Sequence, residues 1–100
     1  TADQKILRNI FKCYYKLKLF LNAQKTLAYF KQDDHETVDF KVCNYLNELN
    51  SNKPIELIID ESEERLKETH FDEDCISALR AKANSPVLEK ILSKYNVWTI

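Results

Sequence analysis

The sequence predicts an all-α fold, a compact bundle of five or six short helices. Three observations predict it: the chain of 100 residues contains no glycine, apolar residues recur at helical spacing, and Ser-Asn-Lys-Pro and Asn-Ser-Pro are typical helix-restart signals. Glycine supplies positive φ angles and close backbone approach. Its absence therefore argues against tight β-hairpins, phosphate loops and dinucleotide-binding loops.

A chain of this length is predicted to form one domain, spanning 1–100. Hydrophobic residues make up 44% of the chain and charged residues 31%, a composition typical of a folded helical protein. Because the chain contains no methionine, even at position 1, we expect it to be a piece of a longer protein.

The first predicted helix runs over 3–17, with Asp3 as its N-cap, or Thr1 if the helix begins earlier. Helical spacing separates a basic face from an apolar face that we expect to be buried. The residues expected on or beside that buried face are Ile6, Leu7, Ile10, Cys13, Tyr14, Leu17 and Leu21. Lys18 falls toward the apolar face and Leu19 toward the polar face, so we predict a break between Lys18 and Asn22.

Five further helices are predicted over 22–32, 35–49, 54–68, 72–83 and 86–95. Asp33 and Asp34 are candidate caps for the third helix, and Ser85 for the sixth. A strand over 55–59 is the alternative to the start of the fourth helix. The residues expected inside are Ala23, Leu27, Phe30, Val38, Val42, Tyr45, Leu46, Leu49, Ile55, Ile58, Ile59, Leu66, Cys75, Ile76, Leu79, Val87, Leu88, Ile91, Leu92, Tyr95 and Trp98.

The restart points Asn22, Pro54 and Pro86 are 32 residues apart, which indicates three stacked helical hairpins. The first hairpin resembles the tetratricopeptide repeat, a helix-turn-helix unit, and this resemblance implies protein binding. The residues that carry the resemblance are Leu7, Ile10, Phe11, Tyr14, Ala23, Leu27 and Phe30. Later units place Asp39 and Asp74 at positions that are apolar in the repeat. A six-helix bundle, including a death-domain-like one, explains the same helix lengths, so both topologies stay open.

Charge is segregated along the chain. Residues 1–31 hold seven Lys or Arg against one Asp, residues 32–75 hold four against fourteen Asp or Glu, and residues 76–100 hold four against one. Two interpretations follow: the basic first helix pairs with the acidic middle within the chain, or it is a docking surface for an acidic partner.

The docking interpretation predicts a partner-binding surface on the first helix. We call Lys5, Arg8, Lys12 and Lys16 the basic stripe of this helix. Tyr15 and Leu19 lie on or beside it, and an aromatic side chain among cations is typical of interface hot spots. Phe40, which points away from the apolar stripe of its helix, is either a second contact or is buried by a neighbouring helix. The acidic face of the fourth helix is a further candidate. The predicted partner-binding residues are Lys5, Arg8, Lys12, Tyr15, Lys16, Leu19, Phe40, Glu61 and Glu64.

The sequence therefore predicts an interaction module, an adaptor or scaffold that binds another protein through a helical face. Self-association with a second copy is the alternative, and nucleic-acid binding through the basic first helix a further one, although the acidic middle would repel a polyanion. No cofactor or metal site is predicted, since Cys13, Cys43 and Cys75 lie about 30 residues apart. No enzyme is predicted, because nothing in the sequence favours one cysteine–histidine or acid pair over another as a catalytic pair. An odd cysteine count, no Asn-x-Ser/Thr sequon and no apolar run long enough to span a membrane predict an intracellular protein, cytoplasmic or nuclear.

Overall fold

The computed structural model describes residues 3–68 and 72–95, and over these ranges the chain is helical and contains no strand. The helices are α1 (Gln4–Lys16), α2 (Phe20–Leu27), α3 (Val38–Leu49), α4 (Ile55–Glu68), α5 (Glu73–Lys82) and α6 (Pro86–Lys94), and a 3-10 turn, Gln32–Glu36, precedes α3. The prediction of an all-α bundle is confirmed, and the strand alternative over 55–59 is wrong. Trp98, expected to close the core, lies outside the described residues.

Short polar side chains cap the first turn of four of the described helices, α1, α3, α5 and α6. The Asp3 carboxylate accepts a hydrogen bond from the Lys5 amide at 2.7 Å, and the Ser85 hydroxyl accepts one from the Leu88 amide at 3.2 Å, as the sequence predicts. Pro86 is the first residue of α6, where its missing N–H costs no hydrogen bond. Asp72 caps α5 by accepting from an amide in its first turn.

The predicted boundaries between the second and third helices are wrong. Helix α2 begins at Phe20, two residues before Asn22, and ends at Leu27. The chain then turns and buries Phe30 in the core. Helix α3 begins only at Val38, because the hydroxyl of Thr37 caps it and the predicted cap residues lie in the 3-10 turn.

The turn between α1 and α2 places a lysine where most proteins place glycine. The Leu19 amide donates to the Tyr14 carbonyl at 2.9 Å and the Lys18 amide to the Tyr15 carbonyl at 3.0 Å, the hydrogen-bond pair of a Schellman motif. Lys18 has a φ of 61°, and it is the one residue with positive φ in the described part of the chain. The break predicted between Lys18 and Asn22 is found at its N-terminal end, over 17–19, and residues 20–22 already belong to α2.

The odd-numbered helices pack side by side in chain order, α1 on α3 and α3 on α5, while α2 packs on both α1 and α3 and α4 packs on α6. Stacked hairpins would also pack α3 on α4 and α5 on α6 as closely as α1 packs on α2, and these two pairs are not among the main contacts, so the structure supports a small helical bundle and leaves the hairpin topology undecided. The core runs through all six helices. Its fully buried large side chains include Phe11, Val42, Leu46, Leu79, Leu88 and Leu92.

The predicted buried face of α1 is largely wrong. Leu7 and Phe11 are buried, whereas Ile6, Ile10 and Leu17 are 54%, 40% and 69% exposed, and Cys13 is exposed as well. Helix α1 carries apolar residues on two sides, and the core takes the side that holds the aromatic ring of Phe11.

Four other residues expected inside are exposed. Leu21 points outward from α2 and is 71% exposed. Val38, Ile55 and Val87 each lie at the first or second position of a helix, and these helix starts stand at the surface. Burial begins about one turn further along α3 and α4, at Val42 and Ile58, and at the next residue of α6, Leu88.

Candidate partner-binding surface

Two residues of the predicted basic stripe are held by carboxylates of the same chain. The Arg8 guanidinium donates to the Asp39 carboxylate at 2.9 Å and to the Asp72 carboxylate at 2.6 Å. The Lys12 ammonium donates to Asp72 and lies 3.0 Å from the carboxylate of Asp74. We call these five side chains the ionic cluster. It joins α1, α3 and α5, and it accounts for acidic residues at two positions that are apolar in the repeat.

The ionic cluster is partly shielded from solvent, which strengthens its pairs compared with ordinary surface pairs. Burial by itself would raise the pKa of Asp72, but hydrogen bonds from Lys12, the Cys75 amide and Arg8 outweigh it and hold that pKa well below its usual value. Burial would lower the pKa of Arg8 and Lys12, and their carboxylate partners raise both instead. All three groups are therefore charged at neutral pH.

Beside the ionic cluster lies an apolar cleft of about 320 Å³, which we call the α1–α5 cleft. It opens where the end of α1, the start of α2, α3 and α5 come together. Tyr15 forms part of its wall, because the ring stacks on Phe11 at 6.0 Å and meets the edge of Phe20 at 5.4 Å. The lining residues are Lys12, Tyr15, Lys16, Lys18, Phe20, Leu46, Asp74, Ser77 and Ala78.

The rim of the α1–α5 cleft carries more positive than negative charge. Lys12 is committed to the ionic cluster. Lys16 is exposed, and its ammonium nitrogen lies 4.0 Å from a carboxylate oxygen of Asp74, which is a long distance for an ion pair. Lys18 is exposed and has no carboxylate partner among the residues that the structure places. Two ammonium groups beside an apolar wall are therefore available to an anionic ligand.

The structure brings three of the predicted residues together at this cleft: Lys12, Tyr15 and Lys16. Leu19 is 46% exposed and stands between two lining residues of the α1–α2 turn. Lys5 is exposed near the start of α1, away from the lining set.

The other candidates lie elsewhere. Phe40 stacks on His35 at 3.9 Å and meets the edge of Phe30 at 5.3 Å, so it is packed within the fold, as the alternative interpretation predicts. Glu61 and Glu64 belong to α4, and each has a lysine partner.

Sequence reasoning missed the wall of the cleft that α3 and α5 supply, Leu46 and Ala78, because no spacing in the chain links these residues to α1. It also missed Lys18 as a rim residue. The failure of the helical pattern at Lys18 was the available signal, since a residue that breaks a helix at a turn is free to face a neighbouring groove.

Cys43 and Cys75 are buried, unreactive thiols. Burial raises the pKa of the Cys43 and Cys75 thiols to about 12 each, so the thiolate, which is the nucleophilic form, is scarce at neutral pH. Cys13 is exposed. Within the described ranges, no group of three or more His, Cys, Asp or Glu side chains could hold a metal ion.

Of the helices that the structure describes, none combines the length and the apolar character needed to cross a bilayer. Comparison of the chain with protein-family models, with curated proteins and with solved structures gave no match.

Proposed function

We propose that the protein is an interaction module that binds an acidic segment of another protein in the α1–α5 cleft. One observation carries the proposal: an apolar cleft of about 320 Å³ lies beside Lys18, which has no carboxylate partner among the described residues, and beside Lys16, whose exposed pair with Asp74 is long at 4.0 Å. The cleft accepts a large apolar side chain of the partner, and Asp or Glu residues flanking that side chain approach Lys16 and Lys18.

The two parts of this surface have different energetic roles. Filling the cleft removes apolar surface from water and supplies most of the affinity, at about 25 cal/mol per Å² of apolar area buried. The rim lysines are exposed, so their pairs contribute little affinity but steer the partner and set its orientation. Binding is therefore expected to weaken moderately, and not to vanish, as salt rises.

A randomised peptide library, selected on the immobilised protein, tests the proposal. We expect the selected peptides to share one Leu, Phe or Trp flanked by Asp or Glu. Their affinity for the free protein is then measured by calorimetry.

Two variants and two matched controls locate the binding site. Ala78→Trp fills the cleft and Lys16→Glu with Lys18→Glu reverses the rim, and each is expected to weaken the selected peptides at least about tenfold. Ala81→Trp on the exposed side of α5 and Lys25→Glu with Lys31→Glu in and after α2 make the same chemical changes away from the cleft. We expect the controls to bind as the unaltered protein does.

Three results would contradict the proposal. Selected peptides could lack acidic residues, or Ala78→Trp could bind them with unchanged affinity while folded by circular dichroism. A single-stranded oligonucleotide could bind more tightly than any peptide and compete for the same rim, which would assign the lysines to phosphate groups instead.

A further inference from the structure

The outward side of α1 carries an apolar stripe that no part of the described chain covers. We call Ile6, Ile10, Cys13 and Leu17 the α1 stripe; their spacing of four, three and four residues places them along one side of the helix. Single exposed apolar residues are ordinary on protein surfaces, but a continuous row is typical of an interface. A row with this spacing fits another helix.

The border of the α1 stripe is basic. Lys5 and Lys16 follow along one side of it, and both are exposed. Helix α1 itself contains no acidic residue from Gln4 to Lys16. Pairing two α1 stripes from two copies would therefore bring no carboxylate of α1 to these lysines, and the complement of the stripe has to be an apolar surface with acidic neighbours.

The same chain presents such a surface on α4. Ile58 and Ser62 are buried on the inner side of this helix, which leaves Glu56, Asp60 and Glu64 exposed on the outer side. Leu57 lies among these carboxylates and is 42% exposed, and Ile55 at the helix start is 48% exposed. The outward face of α4, defined by Glu56, Leu57, Asp60 and Glu64, therefore combines three carboxylates with one exposed apolar side chain.

The two faces do not cover each other within one chain, because both are exposed in the same structure. Helix α1 packs on α2 and α3, whereas α4 packs on α6. A second copy, however, can bring its α4 face to the α1 stripe of the first. The charge complementarity is then Lys5 and Lys16 against Glu56 and Asp60. Glu64 adds to the negative charge of the α4 face, although it already pairs with Lys67 of its own chain at 3.4 Å, as Lys16 pairs with Asp74 at 4.0 Å.

We propose that copies of this chain associate head to tail, with the α1 stripe of one copy against the outward face of α4 in the next. Such a contact is heterologous: every added copy leaves one α1 stripe and one α4 face free, so association continues into an open chain or closes into a ring. The α1–α5 cleft shares Lys16 with the border of the α1 stripe, but none of the four stripe residues lines the cleft, and this proposal does not depend on the peptide site there.

Sedimentation velocity of the full chain and of two variants tests the proposal. Ile6→Glu with Ile10→Glu disables the α1 stripe, and Asp60→Lys with Glu64→Lys disables the α4 face; all four positions are exposed, so the fold is expected to tolerate the changes. We expect the unaltered chain to grow beyond two copies as its concentration rises at low salt. We expect the assemblies to shrink when salt is raised toward about 1 M.

The decisive measurement is the mixture. Each variant alone is expected to be monomeric, whereas an equimolar mixture is expected to form a complex of two chains and no larger, because only one intact junction is available. Recovery of association in the mixture also demonstrates that both variants are folded.

Two results would overturn the proposal: an unaltered chain that stays monomeric up to millimolar concentration, or an α4-face variant that still associates with itself, which would assign the α1 stripe to a symmetric pairing. Failure here leaves the peptide site untouched, since neither variant changes a residue that lines the cleft. Peptide affinity of both variants is expected to equal that of the unaltered chain.

Discussion

Asp72 combines two roles in one carboxylate. It caps α5 through the Cys75 amide at 3.0 Å, and it accepts hydrogen bonds from Arg8 and Lys12 of α1. Its pKa in the folded chain lies below 3.8, its ordinary value. Because this pKa is depressed, the charged carboxylate stabilises the fold fully at pH values above the pKa of Asp72 in the unfolded chain. That stabilisation is lost as the pH falls toward the lower pKa of Asp72 in the folded chain.

Asp72→Asn separates the charge from the cap, because Asn caps helices as well as Asp does. We expect the variant to lose about 2 kcal/mol of unfolding free energy at neutral pH, since Arg8 and Lys12 lose a charged acceptor. The difference in unfolding free energy between the variant and the unaltered protein should become smaller as the pH is lowered below about 4, because Asp72 is then progressively protonated. Urea unfolding over a range of pH measures both quantities, and a difference that does not change with pH would show that the charge is not responsible.

Lys18 occupies a backbone conformation that suits glycine, and a side chain at Cβ costs about 1 kcal/mol there. We expect Lys18→Gly to raise the unfolding free energy by roughly that amount. Lys16→Gly, at a right-handed helical position two residues earlier, is the matched control and should lower it by a similar amount. Thermal unfolding compares them, and a loss of stability in both variants would contradict the assignment.

The three thiols are expected to react at very different rates. Cys13 is exposed, whereas Cys43 and Cys75 are fully buried and their pKa is raised to about 12 by burial. A thiol reagent should modify one cysteine quickly in the folded protein and the other two only as the protein opens. Mass spectrometry of the modified protein identifies the sites, and rapid reaction at Cys43 would show that the core is not closed as described.

At the scale of the helix, α1 has two apolar sides and buries one of them. Its limits, Gln4–Lys16, agree with the predicted helix within one residue at each end. Its buried side could not be predicted, because Ile6 and Ile10 satisfy the same helical spacing as Leu7 and Phe11. Which side is buried depends on packing against other helices: Val42 and Leu46 of α3 belong to the same core cluster as Leu7 and Phe11.

Single truncations on α1 distinguish its two sides. Phe11→Ala is expected to lower the unfolding free energy by about 3–5 kcal/mol, because it leaves a cavity in the core. Ile10→Ala, one residue away on the outward side, should change it by less than about 1 kcal/mol. Chemical unfolding at a concentration where the chain is monomeric gives both values. An equal loss in the two variants would place the outward side in the core as well.

At the scale of the whole molecule, charge holds neighbouring elements together at several points. Glu48 of α3 pairs with Arg65 of α4 at 2.6 Å, and Arg80 of α5 pairs with Glu89 of α6 at 3.0 Å. The sequence predicts the segregation of charge that makes such pairing feasible. It does not predict the partners, because Arg8 and Asp72 are 64 residues apart and only the packing of α1, α3 and α5 brings them together.

The same limit applies to the candidate site. Tyr15, Lys12 and Lys16 can be found from the sequence because one helix carries them all. Leu46 and Ala78 cannot, because they reach the cleft from helices whose order of packing is a property of the complete fold. Caps and prolines predict where a helix begins, but not which helix will lie beside it.

The ionic cluster also has a consequence for how the chain folds while it is being made. Arg8 is synthesised 64 residues before Asp72 and Lys12 60 residues before it, so both cations leave the ribosome long before that carboxylate. Until α5 emerges, Asp39 is the one member of the ionic cluster available to pair with α1. The nascent chain can therefore form its helices in order. Helix α1, however, acquires its full set of ionic contacts only after α5 has been synthesised, so the native packing of α1 is completed late in synthesis.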